Sequence, residues 1–226
     1  MSTHAHAIVF DAPQTLAVRS LELKPFDDAD LEVAVLHSGI STGTERLLWD
    51  GTMPPFPGLG YPLVPGYETV GQVVRAGPAA AATGTAPTVW ETQPARRSGA
   101  TGYAVVAPAD DARKDYAAIY DVSGDASLLN GLIGRLAPGG EVVLAGFYKT
   151  DLGFAFAPAF MREASIRIAA QWKKHDLLAV TALVERGALS LDGLITHTLN
   201  PGRAREAYEV AFGDPQCLKM MLDWTA

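Results

Sequence analysis

Two short segments gather most of the side chains that could do chemistry. Ser38-Gly39-Ile40-Ser41-Thr42-Gly43-Thr44-Glu45 and Pro65-Gly66-Tyr67-Glu68 cluster small polar groups with carboxylates. A catalytic zinc needs ligands such as thiolate and imidazole, with one position left open. Ser41 and Tyr67 are poor zinc ligands at neutral pH, and the single cysteine, Cys217, is far away in sequence. His4, His6, His37, His175 and His197 show no H-x-x-x-H pairing. The residue types argue against a metal.

A second group suits a dinucleotide. In an open parallel sheet, ligands bind beyond the carboxyl ends of the strands. Glu91 ends the strand-like Thr88-Val89-Trp90, where a carboxylate can bond an adenosine ribose and favour NAD over NADP. The competing reading is a solvated strand-end carboxylate. Asp121-Val122-Ser123-Gly124 and Gly146-Phe147-Tyr148 end two further strands, and glycines there let a cofactor approach the backbone. They could equally be ordinary strand-to-helix turns. The phosphate cradle is missing: no G-x-G-x-x-G occurs, and Gly58-Leu59-Gly60 is followed by Leu63 in a proline-rich loop.

The elements that must hold these residues fall into three textures. From Ala5 to Ala76, apolar runs such as Ala7–Phe10, Leu31–Leu36 and Thr69–Val74 are broken by Gly and Pro, which predicts a small β-barrel or sandwich. Met53-Pro54-Pro55-Phe56-Pro57-Gly58 is a loop. From Pro87 to about Trp172 the pattern alternates strand and helix: Thr88–Glu91, Ala117–Val122, a helix over Ser127–Leu136 stopped by Pro138-Gly139-Gly140, and strands at Glu141–Gly146 and Ile166–Ala169. Such alternation predicts a parallel α/β sheet. A helix capped by Asp176, another over Pro201–Phe212 and a strand at Lys219–Leu222 follow. The expected division is 1–80 and 189–226 in a β-rich part, with 81–188 in the α/β part. Gly77–Ala86 is the junction.

The bulk numbers bound the partners. The 226 residues are 48% hydrophobic and 19% charged, the texture of a soluble globular chain. A net charge of −7 without a basic cluster argues against nucleic acid. One cysteine excludes an internal disulfide, and its apolar neighbours predict a buried thiol. No signal-peptide pattern opens the sequence, and no apolar run approaches the ~18–20 residues of a membrane span. The expected location is the cytoplasm.

The order of textures resembles the medium-chain dehydrogenase/reductase superfamily, in which a GroES-like catalytic domain is interrupted by a Rossmann domain. Ser41 falls where zinc-dependent members place a cysteine, and Pro65-Gly66-Tyr67-Glu68 matches their Gly-His-Glu with tyrosine for histidine. Ser38–Glu45, Met53–Gly58, Val89-Trp90-Glu91-Thr92, Asp121–Asp125 and Phe160-Met161-Arg162-Glu163-Ala164 are similar, more specifically, to a zinc-free branch: the dehydrogenases that oxidise the 3-hydroxyethyl group of bacteriochlorophyllide a. That resemblance implies an NAD-dependent alcohol dehydrogenase of bacteriochlorophyll biosynthesis, forming a 3-acetyl group. Ser41, Thr44, Tyr67 and Glu68 are then candidates to accept the hydroxyl proton, and Glu91, Ser123, Gly124, Gly146 and Phe147 to hold the cofactor. Met53–Gly58 would supply an apolar wall for a flat chlorin, and a homodimer would form through the strand near Ile166-Arg167-Ile168, although an unsatisfied sheet edge could equally drive aggregation.

One departure is large. Between Val73-Val74 and Val89, family members carry the first Rossmann strand and its glycine loop, and here Gly77–Ala86 replaces that block. The expectation is weak or absent NAD binding. Two alternatives stay open: a degenerate, non-catalytic relative, and another zinc-free medium-chain reductase acting on quinones or enones.

Overall fold

The computed structural model describes residues 4–77 and 111–226. The junction Gly77–Ala86, beyond its first residue, and the strand expected at Thr88–Glu91 lie outside the described residues, and Glu91 with them. The chain divides into two compact units, Met1–Glu91 with Leu183–Ala226, and Thr92–Ala182.

In the first unit, β1 (His4–Ala12) and β2 (Thr15–Glu22) form an antiparallel hairpin. A four-stranded sheet has the order β4-β3-β9-β8, from β3 (Leu31–Ile40), β4 (Glu68–Ala76), β8 (His197–Leu199) and β9 (Met220–Asp223). β3 is central. It pairs antiparallel with β4 and β9, so that Gly39 faces Glu68 on one side and Met221 on the other. The exposed end of this sheet is where β3 leaves and β4 enters, which is why residues 41 and 67 meet although they are 26 positions apart.

Helix α1 (Thr44–Asp50) follows β3 and stops at Gly51, whose φ of 69° is the left-handed conformation a helix C-terminus favours. Near the other end of the chain, a 3₁₀ turn at Pro201–Arg203 leads into a helix at Ala204–Gly213. Ala204, Ala207, Tyr208 and Ala211 are its buried residues, spaced i, i+3, i+4, i+7, which is the stripe a half-buried helix needs. That stripe packs with Ile8, Phe10, Ile40, Leu48, Trp49, Cys217, Met220 and Leu222. Phe10 makes edge contacts to Trp49 and Tyr208, and Trp49 stacks on Tyr208 with ring centroids 5.8 Å apart. Fully burying such side chains contributes roughly 1.5–3 kcal/mol each. Cys217 is fully buried, as its apolar neighbours predict.

The second unit holds a parallel sheet of order β5-β6-β7, from β5 (Tyr116–Asp121), β6 (Leu136–Leu144) and β7 (Ser165–Ile168). β6 is buried on both faces at Val142, Val143 and Leu144. Two short helices, α2 (Leu129–Ile133) and α3 (Phe156–Met161), bring Leu129, Ile133 and Ala159 against it.

Three local readings differ from the sequence. The helix expected over Ser127–Leu136 is shorter: a 3₁₀ turn at Ala126–Leu128 and then α2. Pro138-Gly139-Gly140 does not separate helix from strand but lies inside β6 as a bulge, with Tyr116 opposite Leu136 and Ala118 opposite Glu141. The glycines serve that bulge, because Gly139 has φ 73° and a Cβ on Gly140 would lie 2.9 Å from the Tyr116 carbonyl. Asp176 sits within helix α4 (Lys174–Glu185), not before it; its carboxylate reaches back to the Lys173 N–H at 2.8 Å. The helix at Ala204–Gly213 is thus α5. Among the described residues, no helix is long and apolar enough to cross a membrane.

Candidate functional site

Ser41 is the first residue past β3 and is fully buried; Tyr67 is the last before β4 and is half exposed. Because Gly39 and Glu68 are register partners, the two side chains arrive at the same end of the sheet. The Tyr67 hydroxyl donates to Ser41 Oγ at 2.8 Å, and Thr44 Oγ1 donates to Tyr67 Oη at 3.2 Å. The result is a chain of three hydroxyls, Thr44–Tyr67–Ser41, running from the surface into the sheet. Three of the four proton-handling candidates are therefore in direct contact.

Glu68, the fourth, points elsewhere. Its Oε2 pairs with Lys219 Nζ at 2.5 Å, and its Oε1 is buried without a hydrogen-bond partner. A buried charge of this kind is stable only when paired. Lys219 was not among the residues the sequence singled out; a lone lysine interrupting Cys217-Leu218 and Met220-Met221 is the signal that would have shown it.

Glu45 was legible only as the end of a polar string, yet it is 1% exposed. Its Oε1 accepts the Ser41 N–H at 3.0 Å and its Oε2 accepts the Tyr208 hydroxyl at 2.9 Å. Burial raises its pKa to about 7, against the lowering effect of those two hydrogen bonds; Glu68 raises it further and Lys219 lowers it. Burial, and the negative charge of Glu45, push the Tyr208 phenol well up.

At the other end of α1 lies the proline loop. Leu48, Met53, Pro55, Phe56, Leu59 and Tyr61 line a shallow open depression, and the Tyr61 hydroxyl donates to the Leu48 carbonyl. The seven residues of α1 place its ends about 10 Å apart.

In the second unit the four described cofactor candidates come together at the carboxyl ends of β5 and β6. The N–H groups of Ala145 and Gly146 both donate to the Asp121 carbonyl. The buried Asp121 carboxylate accepts from the Ser123 N–H at 2.9 Å and from the Tyr148 hydroxyl at 2.7 Å. Burial and that carboxylate push the Tyr148 phenol up. Gly124 has φ 70°, and a Cβ there would lie 2.5 Å from the Phe147 carbonyl; a Cβ on Gly146 would lie 2.7 Å from the Gly124 nitrogen. Neither glycine can carry a side chain, because the two turns pack directly on each other.

These residues fit one end of a dinucleotide and not the other. Ser123 and the exposed Phe147 offer a hydroxyl and an apolar face at the strand ends. The helical turn that follows β5 is capped by Asp125, whose carboxylate accepts from the Ser127 N–H and hydroxyl at 2.9 and 2.6 Å. Those bonds lower the Asp125 pKa, and its negative charge opposes a phosphate at that turn. Among the described residues, no group of three His, Cys, Asp or Glu side chains could hold a metal.

No protein-family model matches the chain. It is 41% identical, over 96% of its own length and 97% of the relative's, to 2-desacetyl-2-hydroxyethyl bacteriochlorophyllide A dehydrogenase of Rhodobacter capsulatus. That alignment runs over 305 positions, 79 more than the 226 residues present, so at least that many of its positions have no counterpart here. Among solved structures, the fold is similar to alcohol dehydrogenase from Thermus sp. ATN1, with TM-score 0.77 and 16% identity over 97% of this chain and 99% of that one. It is also similar to a short chain alcohol dehydrogenase of Escherichia coli CFT073 complexed with NADH, with TM-score 0.68 and 14% identity over 98% and 99% of the two chains.

Proposed function

The chain belongs to the 2-desacetyl-2-hydroxyethyl bacteriochlorophyllide A dehydrogenase family, and from that membership we propose that it is an oxidoreductase of bacteriochlorophyll biosynthesis. The reaction is oxidation of the 3-(1-hydroxyethyl) group of bacteriochlorophyllide a to 3-acetyl. The single observation that carries this reading is 41% identity across almost the whole chain.

The carbinol carbon gives up a hydride and its oxygen a proton; a bound NAD would supply the hydride acceptor. The chain's own residues handle the proton. Ser41 is buried and Glu68 is held by Lys219, which leaves Tyr67 and Thr44 within a substrate's reach; Tyr67 is the more exposed and is the one that links the other two hydroxyls. Tyr67 Oη takes the alcohol proton as its own hydroxyl proton leaves to solvent water, the final acceptor, across its half-exposed side, while Ser41 and Thr44 hold the hydroxyl in place. Preorganised hydroxyls replace the Lewis acid of zinc-dependent relatives. Met53, Pro55 and Phe56 supply an apolar wall for the flat chlorin, about one helix length from Tyr67.

Ser123, Gly124, Gly146 and Phe147 are proposed at the nicotinamide end, with Glu91 at the ribose. NAD is proposed to bind weakly, because no G-x-G-x-x-G occurs in the sequence to cradle the pyrophosphate. Titration of the purified chain with NADH, followed by nicotinamide fluorescence, tests this. Saturation only in the millimolar range is expected. Saturation at micromolar NADH would overturn weak binding and mean that a phosphate site forms elsewhere in the chain.

A second reading is favoured by the 79 or more relative positions without a counterpart: a dehydrogenase by descent that no longer turns over. Folded protein that yields no 3-acetyl product at saturating NAD would establish it over the first.

A further inference from the structure

Neither of the two groups joined in the central hydroxyl contact is held by its own segment alone. Ser41 sits on the loop between β3 and α1, and Tyr67 follows Gly66, whose φ is 97°. One carboxylate bonds the first and lies near the residue that precedes the second. Glu45 Oε1 accepts the Ser41 N–H at 3.0 Å, and a Cβ placed on Gly66 would be 3.5 Å from that oxygen, ordinary van der Waals contact. A third side, from α5, is closed by the Tyr208 hydroxyl on Oε2. The carboxyl is thereby fixed between the two strand ends that carry the donor and the acceptor of the Tyr67–Ser41 bond.

We infer that Glu45 is the positioning residue of the Thr44–Tyr67–Ser41 chain, setting its geometry through the Ser41 amide and changing it when the carboxyl gains or loses a proton. The inference rests on reading that hydroxyl chain as the proton path. Glu45 is not itself a group the substrate touches, because it is buried behind Ser41. The titratable and charged groups that face it are Tyr208 from α5, Glu68 from β4 and Lys219 from the residue before β9. The ionised form binds both donors at once. In the protonated form Oε2 donates to the Tyr208 oxygen, reversing that bond, and Oε1 keeps only a neutral, weaker bond from the Ser41 N–H, so the hold on Ser41 changes with protonation.

Burial holds the carboxyl near neutrality, so the change falls within an accessible range: its pKa is about 7. Other ionised groups nearby modulate it; Tyr208→Phe, which removes a donor to the ionised form, raises it.

The test uses the full chain and needs no turnover. Nitrogen-15 and tyrosine-ring NMR spectra are recorded from pH 5.5 to 8.5 on wild type, Glu45→Gln and Tyr208→Phe. The Ser41 amide and the Tyr67 ring resonances are expected to move together with one midpoint near 7 in the wild type. Both should stay fixed in Glu45→Gln, and both midpoints should rise in Tyr208→Phe. A Ser41 amide that titrates while Tyr67 does not would overturn the inference, as would joint movement that survives Glu45→Gln. The proton-path reading is checked separately by turnover of Tyr67→Phe: unchanged turnover there would end that reading while leaving the Glu45 coupling measurable by NMR. If Glu45→Gln is poorly folded, Tyr208→Phe carries the test: the Ser41 and Tyr67 midpoints must rise together, and midpoints that stay where the wild type has them, or separate, would overturn the inference.

Discussion

Lys219 Nζ lies 2.5 Å from Glu68 Oε2 in the space that a side chain on Gly39 would otherwise occupy. A Cβ on Gly39 would collide with Glu68 Oε2 and come within 2.9 Å of Lys219 Cε. Gly39 pairs with Glu68 in β4 and with Met221 in β9, so the ion pair bridges the two neighbours of the central strand across a residue that has no side chain.

Lys219→Met should therefore destabilise the chain strongly. It leaves a buried carboxylate whose other oxygen already has no partner. The expected loss is about 3–5 kcal/mol in urea unfolding, with much of it recovered in the Lys219→Met, Glu68→Gln double variant. A loss below about 1 kcal/mol would mean that the pair is solvated, as exposed pairs are.

Gly124→Ala should destabilise for a different reason. The position combines φ 70° with a Cβ that would sit 2.5 Å from the Phe147 carbonyl, and backbone cannot yield as a side-chain tip can. A loss of roughly 1–3 kcal/mol is expected by thermal or urea unfolding. Gly131→Ala, where nothing lies within 4 Å of the added carbon, is the control and should be neutral or stabilising.

Glu45 makes the stability of the chain depend on pH. Its pKa is raised from an ordinary 4.5 to about 7, so between those values the folded state holds a proton that the unfolded chain releases. The contribution is fully present below pH 4.5 and is lost as pH rises through 7. Its size is on the order of 3 kcal/mol. The stability difference between wild type and Glu45→Gln should shift by about that amount across the window, in favour of Gln at high pH. Urea midpoints at a series of pH values measure it; parallel curves for the two proteins would refute it.

Tyr67→Phe and Phe56→Ala should separate chemistry from binding. Tyr67→Phe removes the hydroxyl that links Thr44 to Ser41, and kcat for alcohol oxidation should fall by about 10²–10⁴ with KM little changed. Phe56→Ala removes an exposed wall of the depression, so KM for the chlorin should rise while kcat holds. Steady-state kinetics at millimolar NAD distinguish the two patterns.

Much of this was legible in the sequence because it depends on local pattern. Alternation placed β1, β3 and β4, apolar neighbours predicted the buried Cys217, and the strand-end glycines marked the turns at 124 and 146. Ser41, Thr44 and Tyr67 could be named as candidates, but not their contact, which depends on the register that sets Gly39 opposite Glu68. Glu45 and Lys219 were harder to see, because each takes its meaning from a partner far along the chain: Tyr208 for one and Glu68 for the other. The bulge in β6 was hidden for a related reason. Pro138-Gly139-Gly140 reads as a turn, and only the pairing with β5 shows that the strand continues through it.

The central strand of the first unit takes one of its two neighbours from residues 220–223, and the aromatic core closes only when Tyr208 reaches Phe10 and Trp49. A ribosome making this chain thus releases Phe10, Glu45 and Glu68 well over a hundred residues before Tyr208 and Lys219, which pack against or bond them. Contacts so distant in sequence form late and slowly. During synthesis β3 would present an unpaired edge and Phe10 an uncovered ring, which are the features that chaperones bind and aggregates grow from. Yield of soluble protein during expression should therefore depend on how quickly residues 204–223 follow.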